Sequence, residues 1–219
     1  MWSHQGGFPR LDDDDDDFPE IEPIPGPDVD DERENGRREL RSMEGRLLKN
    51  RTILIYGTID MDVAMEVTKR LLVMDGESQD DIRIFINSPG GHVESGDTIF
   101  DMIRFVKSRV KVIGTGWVAS AGALIYAAAD VENRYSLPNT RFLLHQPAGG
   151  ATGQASDIAI EAQEIIKMRR RLNEIFARQT GQSIEKVEED TDRNFWMSAS
   201  QAKDYGLVGR IIESADELE

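Results

Sequence analysis

Short apolar, β-branched runs that alternate with stretches of helical spacing set the strongest limit on what this chain can fold into. RTILIYG (51–57), IRIFI (82–86), VKVI (110–113) and RFLL (141–144) each suit a buried strand. After the first run, Ala64, Val67, Leu71 and Met74 recur at helical spacing, with Asp60 or Asp62 as N-cap and Gly76 as the stop. After the second, NSPGGH breaks the chain, and Ile99, Met102, Ile103 and Val106 then mark an amphipathic helix within 93–107. A third helix is expected over Ser120–Ala129. Ser156 or Asp157 opens a long one ending at Gly181, with Ile158, Ala162, Ile165, Leu172 and Phe176 on one face. SIEKVEED and SASQAKDYG read as short helices and LVGRII as a last strand. Strands alternating with helices predict an α/β fold with largely parallel pairing.

Charge divides the chain. Residues 1–40 hold nine Asp and five Glu against four Arg, a net of −10 out of −15 for all 219 residues. Asp12–Asp17 are six consecutive aspartates, and like-charge repulsion with little apolar surface predicts a disordered extension over 1–39. A removable propeptide, a docking arm and a solvated extension all suit that composition. The folded part is expected over 40–213, followed by an acidic tail at 214–219. The negative charge argues against nucleic acid, whose phosphates are bound by Lys and Arg. No apolar run is long enough to span a membrane, and no basic, apolar signal segment opens the chain, which together predict a cytoplasmic protein. Cysteine is absent, so disulfides, thiol nucleophiles and thiolate metal sites are excluded. His4, His92 and His145 lack metal-site spacing, so no metal is expected.

The chemistry concentrates in VIGTGWVASAGALIYAAAD and FLLHQPAGG. Ser120 stands among small residues at a predicted helix start, and His145 at a predicted strand end. A serine hydroxyl needs an adjacent base and an oxyanion hole to act as a nucleophile. The amide of Ala121, first in its helix, supplies one donor, and the glycines of NSPGGH allow a second close backbone approach. The nucleophile-elbow pattern G-x-S-x-G is not met, because Val118 occupies the first glycine position. Taken singly, ASAG also suits close helix packing, His145 a core position and His92 an exposed helix start.

Taken together, INSPGG, ASAGA, LPNTRFLLHQPAGG, GQASDI and SASQAKDYGLV resemble, in order from about Arg46 to Ile212, the proteolytic subunits of ATP-dependent Clp proteases, the ClpP family. The resemblance implies a crotonase-like fold of repeated ββα units with a long handle helix. It implies heptameric rings, homo- or hetero-oligomeric, stacked as a tetradecamer that cleaves unfolded polypeptides delivered by an AAA+ unfoldase. No cofactor is implied, since ATP belongs to the unfoldase and this chain has no Walker A motif. Residue by residue, it implies Ser120 as nucleophile, His145 as base, Gly91 and Ala121 as oxyanion-hole amides, and Gly149 and Gly150 in a strand that pairs with substrate.

The chain departs from that family at one decisive position. EEDTDRNFWMSA aligned without gaps puts Asn194 where the family carries the triad aspartate, with Asp190 and Asp192 close by. Arg83 and Phe85 stand where many members carry aromatics that receive the unfoldase loop, so Arg83 adds charge to that place. The reading is a serine endopeptidase subunit. Its alternatives are a weakly active or inactive structural subunit that co-assembles with a catalytic paralogue, and an acyl-CoA enzyme of crotonase type, which the Ser–His pair disfavours.

Overall fold

A computed structural model describes residues 43–150 and 152–218; the acidic extension expected over 1–39 lies outside them. A helix over 43–49 (α1) leads to β1 (Thr52–Ile59), α2 (Met61–Glu77), β2 (Ile82–Gly91), α3 (Val93–Phe105), β3 (Val110–Ala119) and α4 (Ala121–Tyr126). Then follow β4 (Arg134–Ser136), β5 (Arg141–Leu144), α5 (Ala155–Thr180), α6 (Ile184–Thr191), β6 (Phe195–Ser198), α7 (Ala199–Asp204) and β7 (Arg210–Ile211). The sheet runs β1-β2-β3-β4-β7, all parallel.

β3 is the branch point. Its first half pairs with β4 through Val112–Gly114, and its second half with β5 through Trp117–Ala119. β5 in turn pairs antiparallel with β6. β3 runs past Ile113, the end expected from its apolar run, and β4 and β6 are strands without a local signal in the sequence. NSPGGH is not the break its composition suggests: β2 continues to Gly91 through a register shift opposite Tyr56 and Thr58 of β1.

The core lies where Ile53, Ile55, Ile84, Ile86 and Val112 meet Ala64, Val67, Leu71 and Met74 of α2 and Ile99 and Ile103 of α3, all buried. Each full aliphatic burial stabilises by roughly 1.5–3 kcal/mol. Of the two candidate caps, Asp60 closes α2, its Oδ1 accepting from Val63 N at 2.9 Å. Gly76 does not stop this helix, which runs on to Glu77. Its last carbonyls are met instead by Arg51, whose guanidinium donates to Met74 O (2.6 Å) and Ser78 O (3.2 Å). A long-range cation thus does what a C-terminal glycine usually does. α5 ends as expected at Gly181, left-handed at φ +74°, but its N-cap is Gln154, with Ser156 and Asp157 inside the first turn. Residues 214–218 pack on the domain: Ser214 and Glu217 form a capping box, and Leu218 rests beside Ile113, Tyr135 and Ile212.

Asp81, just before β2, bridges to the start of β3. The Arg109 guanidinium (2.7 and 2.6 Å) and the Lys111 ammonium (2.9 Å) hold its carboxyl at about 2, below the usual 3.8. A lowered folded-state pKa means stability present above about pH 4 and lost as pH falls toward about 2. Replacing Asp81 with Asn is therefore expected to lower Tm at neutral pH, with Lys111 left buried and unpaired. In paired thermal melts the gap to the unsubstituted chain should close as pH drops through that window.

Candidate active site

Ser120 is the hinge between β3 and α4. It has φ +55° and ψ −122°, and only one other non-glycine described residue, Arg51, has positive φ. Such a conformation costs of order 1–3 kcal/mol and persists only where neighbours over-determine it. They do here. Ser120 N donates to Leu143 O of β5 at 2.9 Å, and Leu124 N donates to Ser120 O at 3.1 Å. Gly90 presses on the turn so closely that a Cβ there would lie 2.6 Å from Ser120 Cβ and 2.9 Å from Ala119 O. Gly90 is itself held by Ser88 Oγ, which accepts from Gly90 N (3.0 Å) and donates to Gly57 O (2.6 Å). This is a strained strand-to-helix turn, the device of a nucleophile elbow, although Val118, fully buried, replaces the first glycine of that pattern.

His145 and Asn194 are brought together by strand register. β5 and β6 pair Arg141 with Ser198, Phe142 with Met197, Leu143 with Trp196 and Leu144 with Phe195. One step further along the same antiparallel register, His145 falls opposite Asn194, and their side chains meet, Nδ1 to Oδ1, at 3.2 Å. With the amide oxygen as acceptor, His145 carries its proton on Nδ1 and turns Nε2 free as a base. Two backbone-directed bonds fix the loop between: Gln146 N donates to Thr191 O (2.7 Å) and Gln146 Nε2 to Asp192 O (2.7 Å).

The neighbouring aspartates are occupied elsewhere. Asp192 Oδ1 takes Arg169 Nη2 at 3.1 Å, while Asp190 accepts from Lys186 Nζ (3.0 Å) and from the Tyr205 hydroxyl (2.9 Å). Burial and the Asp190 carboxylate push that tyrosine well above its usual pKa, so it remains a donor. Asn194 is thus the group that faces the imidazole.

Ser120 and His145 line one narrow pocket with Val93, Ala121, Leu124, Leu172 and Phe176, whose free volume of about 20 Å³ admits about one water. A wider depression opens past His145 along Gln146, Pro147, Ala148, Arg193 and Asn194. Gly91 ends β2 against Ile59, and Ala121 opens α4 beside Gly90, so the two candidate oxyanion amides approach from the β2 end and the α4 start. His92 is the N-cap of α3, its ring on Ser95 Oγ (2.9 Å) and Glu94 (3.1 Å), the exposed helix-start role considered for it above. Gly149 and Gly150 do not lie in a strand. Residues 145–150 are irregular, because the β5 ladder ends at Leu144, Pro147 has no N–H to give, and glycines weaken a strand.

A serine on a strained turn and a histidine at a strand end, on a largely parallel α/β sheet, are the parts that a serine-type hydrolase uses. The Clp protease family model matches residues 34–215. The ATP-dependent Clp protease proteolytic subunit 3 of Rhizobium meliloti (strain 1021) is 58% identical over 192 residues, 86% of this chain and 98% of that protein. Subunit 2 of Gluconobacter oxydans (strain 621H) is 62% identical over 192 residues, covering 85% and 86%. ClpP1 from Listeria monocytogenes superposes with a TM-score of 0.74 at 56% identity, over 81% of this chain and 99% of that one. An asparagine-to-aspartate variant of the same protein gives 0.76 over the same shares. The chain belongs to the Clp protease family, a family of serine endopeptidases, and has the ClpP fold. No helix among the described residues is long and apolar enough to cross a membrane.

Proposed function

We propose that Ser120, His145 and Asn194 form the catalytic set of this ClpP-type peptidase subunit, with the Gly91 and Ala121 amides as its oxyanion hole. The observation that carries the reading is the antiparallel register that sets His145 against Asn194 beside the strained Ser120 turn. His145 Nε2 takes the hydroxyl proton as Ser120 Oγ attacks the peptide carbonyl. The two amides receive the oxyanion, and His145 then returns the proton to the departing amine. Water repeats the sequence on the acyl-enzyme. Asn194 orients the imidazole but supplies no negative charge to balance the imidazolium. In the Ser-His-Asp template an Asp-to-Asn change, which there also selects the wrong tautomer, lowers kcat about 10⁴-fold, near 5.4 kcal/mol of barrier.

Substrate is held through backbone hydrogen bonds along 149–150 once a peptide adds the missing partner strand, which suits broad specificity. The substrates are unfolded polypeptides passed on by a separate AAA+ unfoldase, which consumes the ATP, and the working form is two stacked heptameric rings in the cytoplasm. The chain requires no cofactor or metal. A structural subunit without chemistry of its own is not favoured, since the serine turn and the histidine are both in place. Fluorophosphonate labelling of the purified chain, read by intact mass, tests the reading. One adduct per chain is expected, and none in Ser120→Ala. An unlabelled chain, alone and with a catalytic paralogue added, would overturn it.

A further inference from the structure

The β3–β5–β6 ribbon carries one cluster that the proposed chemistry leaves unused. Trp117 of β3 and Trp196 of β6 stack with centroids 6.5 Å apart and planes 5° from parallel, inside the range for offset aromatic pairs. The Arg141 guanidinium of β5 lies 4.3 Å from the Trp196 ring centroid, a cation–π distance. Trp117 is 43% exposed, so burial in the core does not account for the arrangement.

The placement does. Each member sits on a strand that delivers one residue of the site: Trp117 precedes Ser120 by three residues, Arg141 precedes His145 by four, and Trp196 follows Asn194 by two. Strand alternation puts Arg141, Leu143 and His145 on one face, with Asn194, Trp196 and Ser198 opposite them. The stack therefore continues the His145–Asn194 contact along the same face. Across β3, Trp117 pairs in register with Arg141, and Ser120 N closes the same corner on Leu143 O. β5 and β6 are four residues each, and β6 has β5 as its strand partner among the described residues. So short a ladder has few bonds to hold its register, and side-chain pairs across it take a larger share. On the other face Met197 is buried and Phe195 packs on Tyr205, leaving the catalytic face to the stack.

We propose that the Trp117–Trp196–Arg141 stack is a positioning device for the catalytic site, keying β6 to β5 and β3 so that Asn194 and His145 stay opposed above Ser120. The inference rests on the reading of these three as the catalytic set. A neutral asparagine contact decays faster with misplacement than a charged one, so this chain depends on such keying more than a carboxylate triad would.

The test measures fluorophosphonate labelling and peptide-cleavage kinetics on the full chain, alongside hydrogen–deuterium exchange over residues 141–146 and 194–198. Trp196→Ala is expected to slow labelling and lower kcat about tenfold with KM within about twofold, because substrate contacts are untouched. Trp196→Phe, which keeps a ring under Arg141, should recover most of that loss. Arg141→Gln, a surface change that spares the fold if Trp196→Ala does not, should cost about threefold. Exchange in both segments should quicken in Trp196→Ala and not in Trp196→Phe. If the unsubstituted chain labels and Trp196→Ala labels equally fast, the stack has no positioning role while the catalytic reading stands. If the unsubstituted chain fails to label, the catalytic reading falls, and unaltered exchange in Trp196→Ala would separately overturn the keying of β6.

Discussion

Asn194→Asp is expected to raise kcat for a model peptide by about 10²-fold or more, with a ceiling at the roughly 10⁴-fold lost on the Asp-to-Asn change in the template triad, where the wrong tautomer forms as well. The change is isosteric. The Asn194 side chain already faces His145 Nδ1 at 3.2 Å, so a carboxylate there needs no rearrangement to accept the same hydrogen bond. What it adds is a negative charge beside the imidazolium that forms in the transition state, at contact distance from the ring. A carboxylate also removes the alternative in which the amide flips and presents its NH2 to the ring, which selects the wrong tautomer. KM should remain within about twofold, since the charge acts on a state that forms after binding. Steady-state kinetics of the two chains, with Ser120→Ala in both backgrounds, would decide it. Equal kcat values would remove Asn194 from the catalytic set and return attention to Asp192, now held by Arg169.

The other large effect is expected from Gly91→Ala. A Cβ at Gly91 would stand 2.1 Å from Ile59 O, 2.8 Å from Ile59 N and 2.9 Å from Ile59 C, at φ +155°. These are backbone atoms of the paired strand β1, and His92 N already donates to Ile59 O at 2.8 Å. No side chain can swing away. Either the β1–β2 ladder parts at its end or the Gly91 amide moves off its position, and both outcomes damage the proposed oxyanion hole. Loss of one such donor costs about 10²–10³ in kcat, and overpacking adds about 1–3 kcal/mol of lost stability. Gly76→Ala is the contrasting control. That glycine lies inside α2 with nothing within 4 Å of a new Cβ, so alanine should stabilise by about 0.5–1 kcal/mol and leave cleavage unaltered. Thermal melts and peptide cleavage on the two variants separate a local catalytic injury from general intolerance of added methyl groups.

Much of this molecule is legible residue by residue. Asp60 caps α2, the spacing of Ala64, Val67, Leu71 and Met74 names its buried face, Gly181 ends α5, and RFLL is β5 at both bounds. Those features depend on a few neighbours along the chain, and local propensity and periodicity report them directly. Ser120 and His145 were visible for the same reason, as reactive side chains at the ends of regular elements. β6 was not. FWMS is four residues between two helical patterns, and its strand character comes from β5, about fifty residues earlier. The stop of α2 is not legible locally, because Arg51, 23 residues before Met74, supplies the cap expected of Gly76.

The sequence alone determined which chemical groups are present: a serine before small residues, a histidine after an apolar strand, an asparagine in place of a carboxylate, and no thiol. Only the tertiary structure decided which of them meet. A one-residue slip of β6 against β5 would set Arg193 or Phe195 opposite His145 and turn every side chain of the strand to the other face. That register is a long-range pairing secured by packing on both faces of the ribbon, and no local stretch of chain encodes it.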